Sequence, residues 1–592
     1  MLVNDKIKAL RDLMKKNGFT CYMEPTGDPH SSEYVADYYK GREFLTDFTG
    51  SAGTAIVTLD KAILWTDGRY FIQAENQIKD SEFILYKMST PGYPSVSEWL
   101  EKNLKEGDNL AINQLLVSQK TIENLSDSLI KKGVVVKPTE DLLDSIWIDR
   151  PSLPTNPIFK LDMQYTGKSV EDKLEELREN LQNEEADYFL LSSLDDIAWL
   201  FNIRGGDVTY TPVVISYALI SANSANLYID KNKVSNTIEE DLKKHGVSVS
   251  DYEDIKIDVE NIALGSKILL NKARTNAWIY SSIKDGIEVI DKTDITEHLK
   301  GKKNETELAN LRKAYIKDGI ALSKFFYWLE HEIGNQDINE LSAAQKLLEF
   351  REEQEGFIEP SFGTISAYGP NGAMMHYSAT KESFSKLEQE GLYLVDSGGQ
   401  YYNGTTDITR TISLGKPTSE EKRDFTLALK GHVNLISAKF LEGASGHALD
   451  VLARYPLWQE GIDYKSGTGH GVGYLLGVHE GPHRISTMPN QVALEEGMVV
   501  TIEPGVYKQG KYGIRHENVV NVIKNIKNES GQFMNFAVLS YCYFDLACID
   551  KELLTKHEID WINDYHNEVY TKIAQYLTES EAVWLKEKTR KI

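Results

Sequence analysis

"YLVDSGGQYYNGTTDITRTI", residues 393–412, and "VVTIEPGVYKQGKYGIRHENVV", residues 499–520, are built to one plan. An apolar run ends in an acid, a Gly-containing turn with tyrosine follows, and a second run carries another acid. The acids are Asp396 and Asp407 in the first copy and Glu503 and Glu517 in the second. Asp396 and Asp407 are eleven positions apart, so a single continuous strand would put them on opposite faces. A turn that folds each copy into a hairpin removes the conflict and lets both acids face one way. Two hairpins related by pseudo-symmetry would then gather four carboxylates.

Four converging carboxylates repel, and without cations their pKa values climb until some are neutral. Two divalent ions carry the balancing charge. Oxygen-rich ligation with one or two imidazoles suits Mn²⁺ first, with Co²⁺, Fe²⁺ or Zn²⁺ also able to fill it. Between the two copies lies "SGTGHGVGYLLGVHEGPH", residues 466–483, which offers His470 as the nitrogen ligand. Its flanking glycines suggest room for something to approach the backbone, here a metal ligand and an extended substrate.

With "GPNGAMMHY", "VDSGGQY", "GTGHGVG", "VHEGP", "TIEPG" and "IRHENV" in this order, the C-terminal half resembles the "pita-bread" metallopeptidases, the fold of methionine aminopeptidase, prolidase and Xaa-Pro aminopeptidase. The two upstream segments and the tail ending "WLKEKTRKI" resemble the long, three-domain Xaa-Pro aminopeptidases, so the likeness covers nearly the whole chain. The resemblance implies a five-ligand dinuclear site on Asp396, Asp407, His470, Glu503 and Glu517. Asp407 and Glu517 would bridge, Asp396 would complete one ion, and His470 with Glu503 the other. It implies hydrolysis of an N-terminal Xaa-Pro bond by a metal-bound hydroxide, with Glu503 as proton acceptor. His376 and His479 match the family's substrate histidines, and Arg515 is placed to support a carboxylate. Ser466 departs from the pattern, because relatives often have histidine there, which puts one substrate contact in question. The likeness also implies a homodimer, in which Arg69 of "WTDGRY" (65–70) could reach a neighbour's cleft. The stretch with Trp65 and Arg69 reads in the first place as a strand-ending turn. His432, His447, His483 and His516 read as ordinary core or surface residues.

The 592 residues carry a formal charge of −24, which argues against nucleic acid or an anionic membrane surface as partner. Three cysteines without paired spacing exclude a disulfide framework and a thiolate zinc site, and suit a reducing, cytoplasmic setting. "MLVNDKIKALRDLMKKNG" reads as an amphipathic helix without the apolar core of a secretory signal, and no run reaches membrane-span length. "TGSAG" lacks the Lys-Ser/Thr end of a phosphate loop.

Prolines in "DRPSLPTNPIF" (149–159) mark a linker, and "KGKKNETELANLRKAY" (300–315) opens a helix at an Asn304/Glu307 capping box. The expected architecture is α/β (α+β): two related creatinase-like α/β domains at 1–157 and 158–303, then a pita-bread catalytic domain with a helical extension at 304–592. Each upstream segment opens with a helix and continues with alternating strands, "TAIVTLDKAILWTDGRYFI" in one and "TPVVISYALISANSANLYID" in the other. Two other readings remain open at this level. One is a prolidase restricted to Xaa-Pro dipeptides. The other is a metal-free pita-bread module, either a binding domain or a creatinase; such modules lose ligands, whereas all five stand here.

Overall fold

The computed structural model describes residues 1–592, which separate into two compact units. One comprises Met1–Lys160 and Lys168–Thr296, the other Leu161–Gly167 and Glu297–Ile592.

The first unit holds the duplication expected from the sequence, and its strand order proves it. One six-stranded sheet runs Phe83–Lys87, Ala62–Thr66, Thr54–Thr58, Cys21–Pro25, Asn109–Asn113, Val135–Thr139. The other runs Val247–Ser250, Ala225–Ile229, Ser216–Ser221, Tyr188–Leu191, Lys267–Leu270, Glu288–Asp291. In both, two central antiparallel pairings are flanked by one parallel pairing on one side and two on the other. Parallel neighbours need helical crossovers, and the helices Gln119–Leu129 and Asn236–Lys244 supply two of them. The opening helix Val3–Asn17 buries Ile7, Leu10 and Met14 at helical spacing and stops at Gly18, which takes the left-handed conformation. The proline-rich stretch carries no regular structure from Pro151 to Ile158.

In the second unit, Asn304 caps the 28-residue helix Glu305–Glu332, and Glu307 returns the bond to the Asn304 backbone. Each half of the repeat is an outer antiparallel pair enclosing a small inner hairpin. Leu392–Ser397 pairs with Ile408–Ser413 around Gly399–Tyr401 and Gly404–Thr405. Val499–Ile502 pairs with Asn518–Asn528 around Gly505–Lys508 and Tyr512–Arg515. Both faces of these strands are buried, and strand alternation separates the residues of one face from those of the other. Tyr393, Val395, Ile408 and Ile412 join Phe325, Phe326, Leu329 and Phe425 in one core. Val500, Ile502, Val520 and Val522 join Leu435, Leu449 and Ala453 in another. The intervening positions, where the acids sit, are left on the opposite faces. No helix is long and apolar enough to cross a membrane.

Candidate metal centre

The four acids stand where each outer strand gives way to its inner hairpin. Asp396 is cross-strand partner to Thr409, and Asp407 immediately precedes the return strand. Glu503 directly follows Val499–Ile502, and Glu517 directly precedes Asn518–Asn528. A backbone bond from Glu517 N–H to the Thr409 carbonyl (3.2 Å) stitches the two copies together. Alongside it, the Thr409 hydroxyl donates to Glu517 Oε2 at 2.6 Å. His470, on the strand Gly469–Gly471, brings Nε2 to 3.5 Å from both Asp407 Oδ2 and Glu503 Oε1. Ligand atoms of Asp407, His470 and Glu517 lie within 4.8 Å of one another. Arg515 pairs with Asp396 Oδ2, donates to Thr409 Oγ1 (3.1 Å) and to the Tyr507 hydroxyl (2.8 Å), so it braces the opposite hairpin rather than Glu517 beside it.

The electrostatics follow from this crowding. Burial pushes the Asp396 carboxyl up to about 6, with Asp407 and Glu503 adding to the rise and Arg515 opposing it. Burial, then Asp407, Asp396 and Glu503, hold Glu517 well above the ordinary carboxyl range. Burial disfavours a charged His470, but the Asp407 and Glu503 carboxylates outweigh it and raise the imidazole to about 9. One Nδ1 contact, 2.9 Å to the Gly471 carbonyl, leaves Nε2 for the acids.

His479 is exposed and packs edge-on against His470, ring centroids 4.3 Å apart. His376 is half-buried in the segment after the turn Gly369–Ala373. That segment is tied down by the fully buried Glu340, which accepts from Tyr368 N–H, Asn371 Nδ2 and the Tyr377 hydroxyl. Ser466 is half-buried, and its Oγ is enclosed without a hydrogen-bond partner. Arg69 lies in the other unit, where its guanidinium grips Asp67 with two bonds of 2.7 Å. Trp65 is fully buried and donates to the Pro94 carbonyl, which is the turn-and-core reading. His432, His483 and His516 are buried; His447 is exposed.

The glycines around His470 do something other than the sequence suggested. A Cβ on Gly469 would sit 1.9 Å from the Thr501 carbonyl oxygen, and one on Gly471 2.3 Å from that of Glu480. The space is filled by neighbouring strands, not kept open for a ligand. Two supporting residues were also missed, Thr409 and Thr501. Thr501 accepts from His470 N–H (3.0 Å) and donates to Glu503 Oε1 (3.2 Å). Each lies two residues from a ligand on the same strand face, a spacing that marks them once the strands are assigned.

Sequence models place this site in context. The "Creatinase/Prolidase N-terminal domain" matches residues 6–146 and again, in a second form, 149–307. "Metallopeptidase family M24" matches 309–524, and the C-terminal region of peptidase M24 matches 532–592. Over the full length of both chains, this one is 41% identical to a probable Xaa-Pro aminopeptidase P of Sordaria macrospora. The chain belongs to metallopeptidase family M24. It is therefore a metal-dependent hydrolase with the two-creatinase-domain, pita-bread architecture. Aminopeptidase P2 of Arabidopsis thaliana is 38% identical, aligned over all of this chain and 89% of that protein. The crystal structure of X-prolyl aminopeptidase from Caenorhabditis elegans, described as a cytosolic enzyme with a di-nuclear active site, covers both chains completely at TM-score 0.95 and 34% identity.

The residues present fit a pair of divalent cations. Asp396 Oδ1 and Asp407 Oδ1 are buried without any hydrogen-bond partner, an arrangement that is costly unless a cation meets them. His470 Nε2 faces two carboxylate oxygens at a distance too long for a good hydrogen bond.

Proposed function

We propose that this M24 member is an Xaa-Pro aminopeptidase, removing the N-terminal residue from peptides with proline second. The observation that carries the reading is the convergence of Asp396, Asp407, His470, Glu503 and Glu517 in a chain that matches an Xaa-Pro aminopeptidase P from end to end. Asp407 and Glu517 would bridge two ions, Asp396 would complete one, and His470 with Glu503 the other. When bound, such a pair polarises a peptide carbonyl and acidifies water into a nucleophile near neutral pH. With such a pair bound, the Glu503 carboxylate would serve as the proton acceptor. His376 and His479 orient the scissile carbonyl and the leaving nitrogen. Arg515 keeps Asp396 ionised and aimed. The oxygen-rich donor set favours Mn²⁺.

The domain division at 1–157, 158–303 and 304–592 belongs to this reading, as does a homodimer. Supporting the latter, Val451, Tyr455 and Trp458 leave a half-exposed apolar stripe along the helix Gly446–Gln459. A cytoplasmic setting is supported by three buried, unpaired cysteines.

Comparing Xaa-Pro-Xaa tripeptides with Xaa-Pro dipeptides, with and without Mn²⁺, tests the function. Mn²⁺-dependent release of the first residue from the tripeptide is expected, together with loss of activity in chelator. Cleavage of the dipeptide alone would make the chain a prolidase; full activity in chelator would overturn the metal reading.

A further inference from the structure

Beside the His470 strand lies a polar cluster whose side chains hydrogen-bond to none of the five donor side chains. It starts on the helix Gly446–Gln459, where Asp450 and Arg454 face each other one turn apart, 2% exposed each. Arg454 Nε donates to Asp450 Oδ2 (2.7 Å). Its remaining nitrogens reach forward into the loop that precedes the strand: Nη1 to the Tyr464 carbonyl (2.7 Å) and Asp463 Oδ1 (3.1 Å), Nη2 to the Ser466 carbonyl (2.8 Å). The guanidinium also lies over the Tyr464 ring, 3.9 Å from its centroid. Asp450 uses its other oxygen to accept from the Thr468 hydroxyl at 2.5 Å, and the Tyr464 hydroxyl closes the ring on Thr468.

Thr468 is where this cluster meets the site. Its carbonyl accepts from Glu503 N–H (2.8 Å), and it stands two residues before His470. A buried carboxylate–guanidinium pair is weak evidence for stability, because desolvation consumes most of the Coulombic gain. Here, however, a rigid fork spends three donors on loop acceptors, the use for which a planar guanidinium is suited. We infer that Asp450, Arg454 and Thr468 are positioning residues: a clamp that fixes the loop Asp463–Thr468 and so sets His470 and the Glu503 backbone at the spacing the metal pair needs. The inference rests on the metallopeptidase reading of the site.

The experiment titrates Mn²⁺ into the metal-stripped full-length protein by calorimetry, alongside thermal melting and steady-state kinetics at saturating Mn²⁺. Thr468→Val keeps the shape and removes only the hydroxyl. It is expected to bind Mn²⁺ about 10- to 100-fold more weakly, the range seen when supporting partners of metal ligands are lost. Thr468→Ser is expected to restore parental affinity. Arg454→Lys, a single ammonium in place of the fork, should weaken Mn²⁺ binding in the same direction. Lys430→Met, which breaks the Lys430–Glu558 pair in the same unit and removes no hydrogen bond of the clamp, serves as a control for general destabilisation. It should lower the melting temperature and leave Mn²⁺ affinity unchanged. Parental affinity in folded Thr468→Val, or an equal loss in Lys430→Met, would overturn the clamp while leaving the site intact. A parent protein that binds no Mn²⁺ would overturn the site itself and the clamp with it.

Discussion

A carboxylate buried among three others ionises only against resistance: burial, with Asp407 and Glu503 adding to it against Arg515, pushes Asp396 up to about 6. Thr409 and Arg515 relieve part of it for Glu517 and Asp396, but Asp407 Oδ1 and Asp396 Oδ1 have nothing except a cation to meet. The charge, rather than the shape, of each ligand is therefore what the site needs. Glu503→Gln and Asp407→Asn change charge with almost no change in volume. Each is expected to lower kcat/KM by at least about a hundredfold, with the far-ultraviolet spectrum of the parent retained. Near-parental turnover in either would show that the ligand set is misassigned. Ser466 is a different case, since its enclosed hydroxyl has no partner within the protein and its carbonyl is already committed to Arg454. Ser466→His should change turnover or peptide-length preference by about five- to a hundredfold, the worth of one charge-assisted contact. Metal content should stay as in the parent. Identical kinetics would show that position 466 never meets the substrate, and altered metal stoichiometry that "SGTGHG" has been misread.

Within the elements, legibility depended on whether a pattern was local. Two outer hairpins with acids at corresponding ends could be read from an apolar run, an acid and a Gly-Tyr turn, because alternation and turn chemistry act over a few residues. The duplicated α/β sheets were readable for the same reason, and the Asn304 capping box needed only four residues. What stayed hidden was set by neighbours remote in sequence. Gly469 looked like a place for a ligand to approach, yet it is the Thr501 carbonyl, thirty-two residues away, that occupies the space. Arg515 was legible as a support for a carboxylate, but that the carboxylate is Asp396, on the other copy of the repeat, was not. The closeness of Gly469 to Thr501 gives an element-scale expectation. In Gly469→Ala the new methyl would force two adjacent backbones apart, an overpacking that costs about 1–3 kcal/mol. It would also displace His470 from Thr501 Oγ1. Reduced Mn²⁺ affinity together with a lower unfolding midpoint is the expected result. A variant with parental metal binding would mean the strand can part without moving its ligand.

At the scale of the whole molecule, proton uptake links folding to metal binding. Burial holds His483 down at about 4, and His516 and His566 at about 3; it also depresses His432 strongly, with Arg410 adding to the effect. Between those values and the ordinary 6.5, an unfolded chain binds protons that the folded chain refuses. Stability from these groups is therefore complete above about pH 6.5 and is lost as pH falls toward 4 and 3. For His483 alone the shift corresponds to about 3 kcal/mol at the acid end. Asp396 and Glu517 act in the opposite sense when no cation is present, because raised carboxyl pKa values let the folded chain bind protons more readily than the unfolded one. Their contribution then favours folding as pH falls. A bound cation reverses that sign: it holds both carboxylates ionised, and acid must displace it to protonate them. Melting temperature measured from pH 7.5 to 5 should thus fall more steeply in excess Mn²⁺ than in chelator. The Mn²⁺ curve should start higher, since binding to the native state alone adds about 2.7 kcal/mol at a hundred times Kd, and should approach the chelator curve near pH 5 as protons compete. The gap between the two slopes counts the protons released on binding. Parallel curves would mean that Mn²⁺ binds without displacing protons, and that the raised values at Asp396 and Glu517 do not describe the metal-free site.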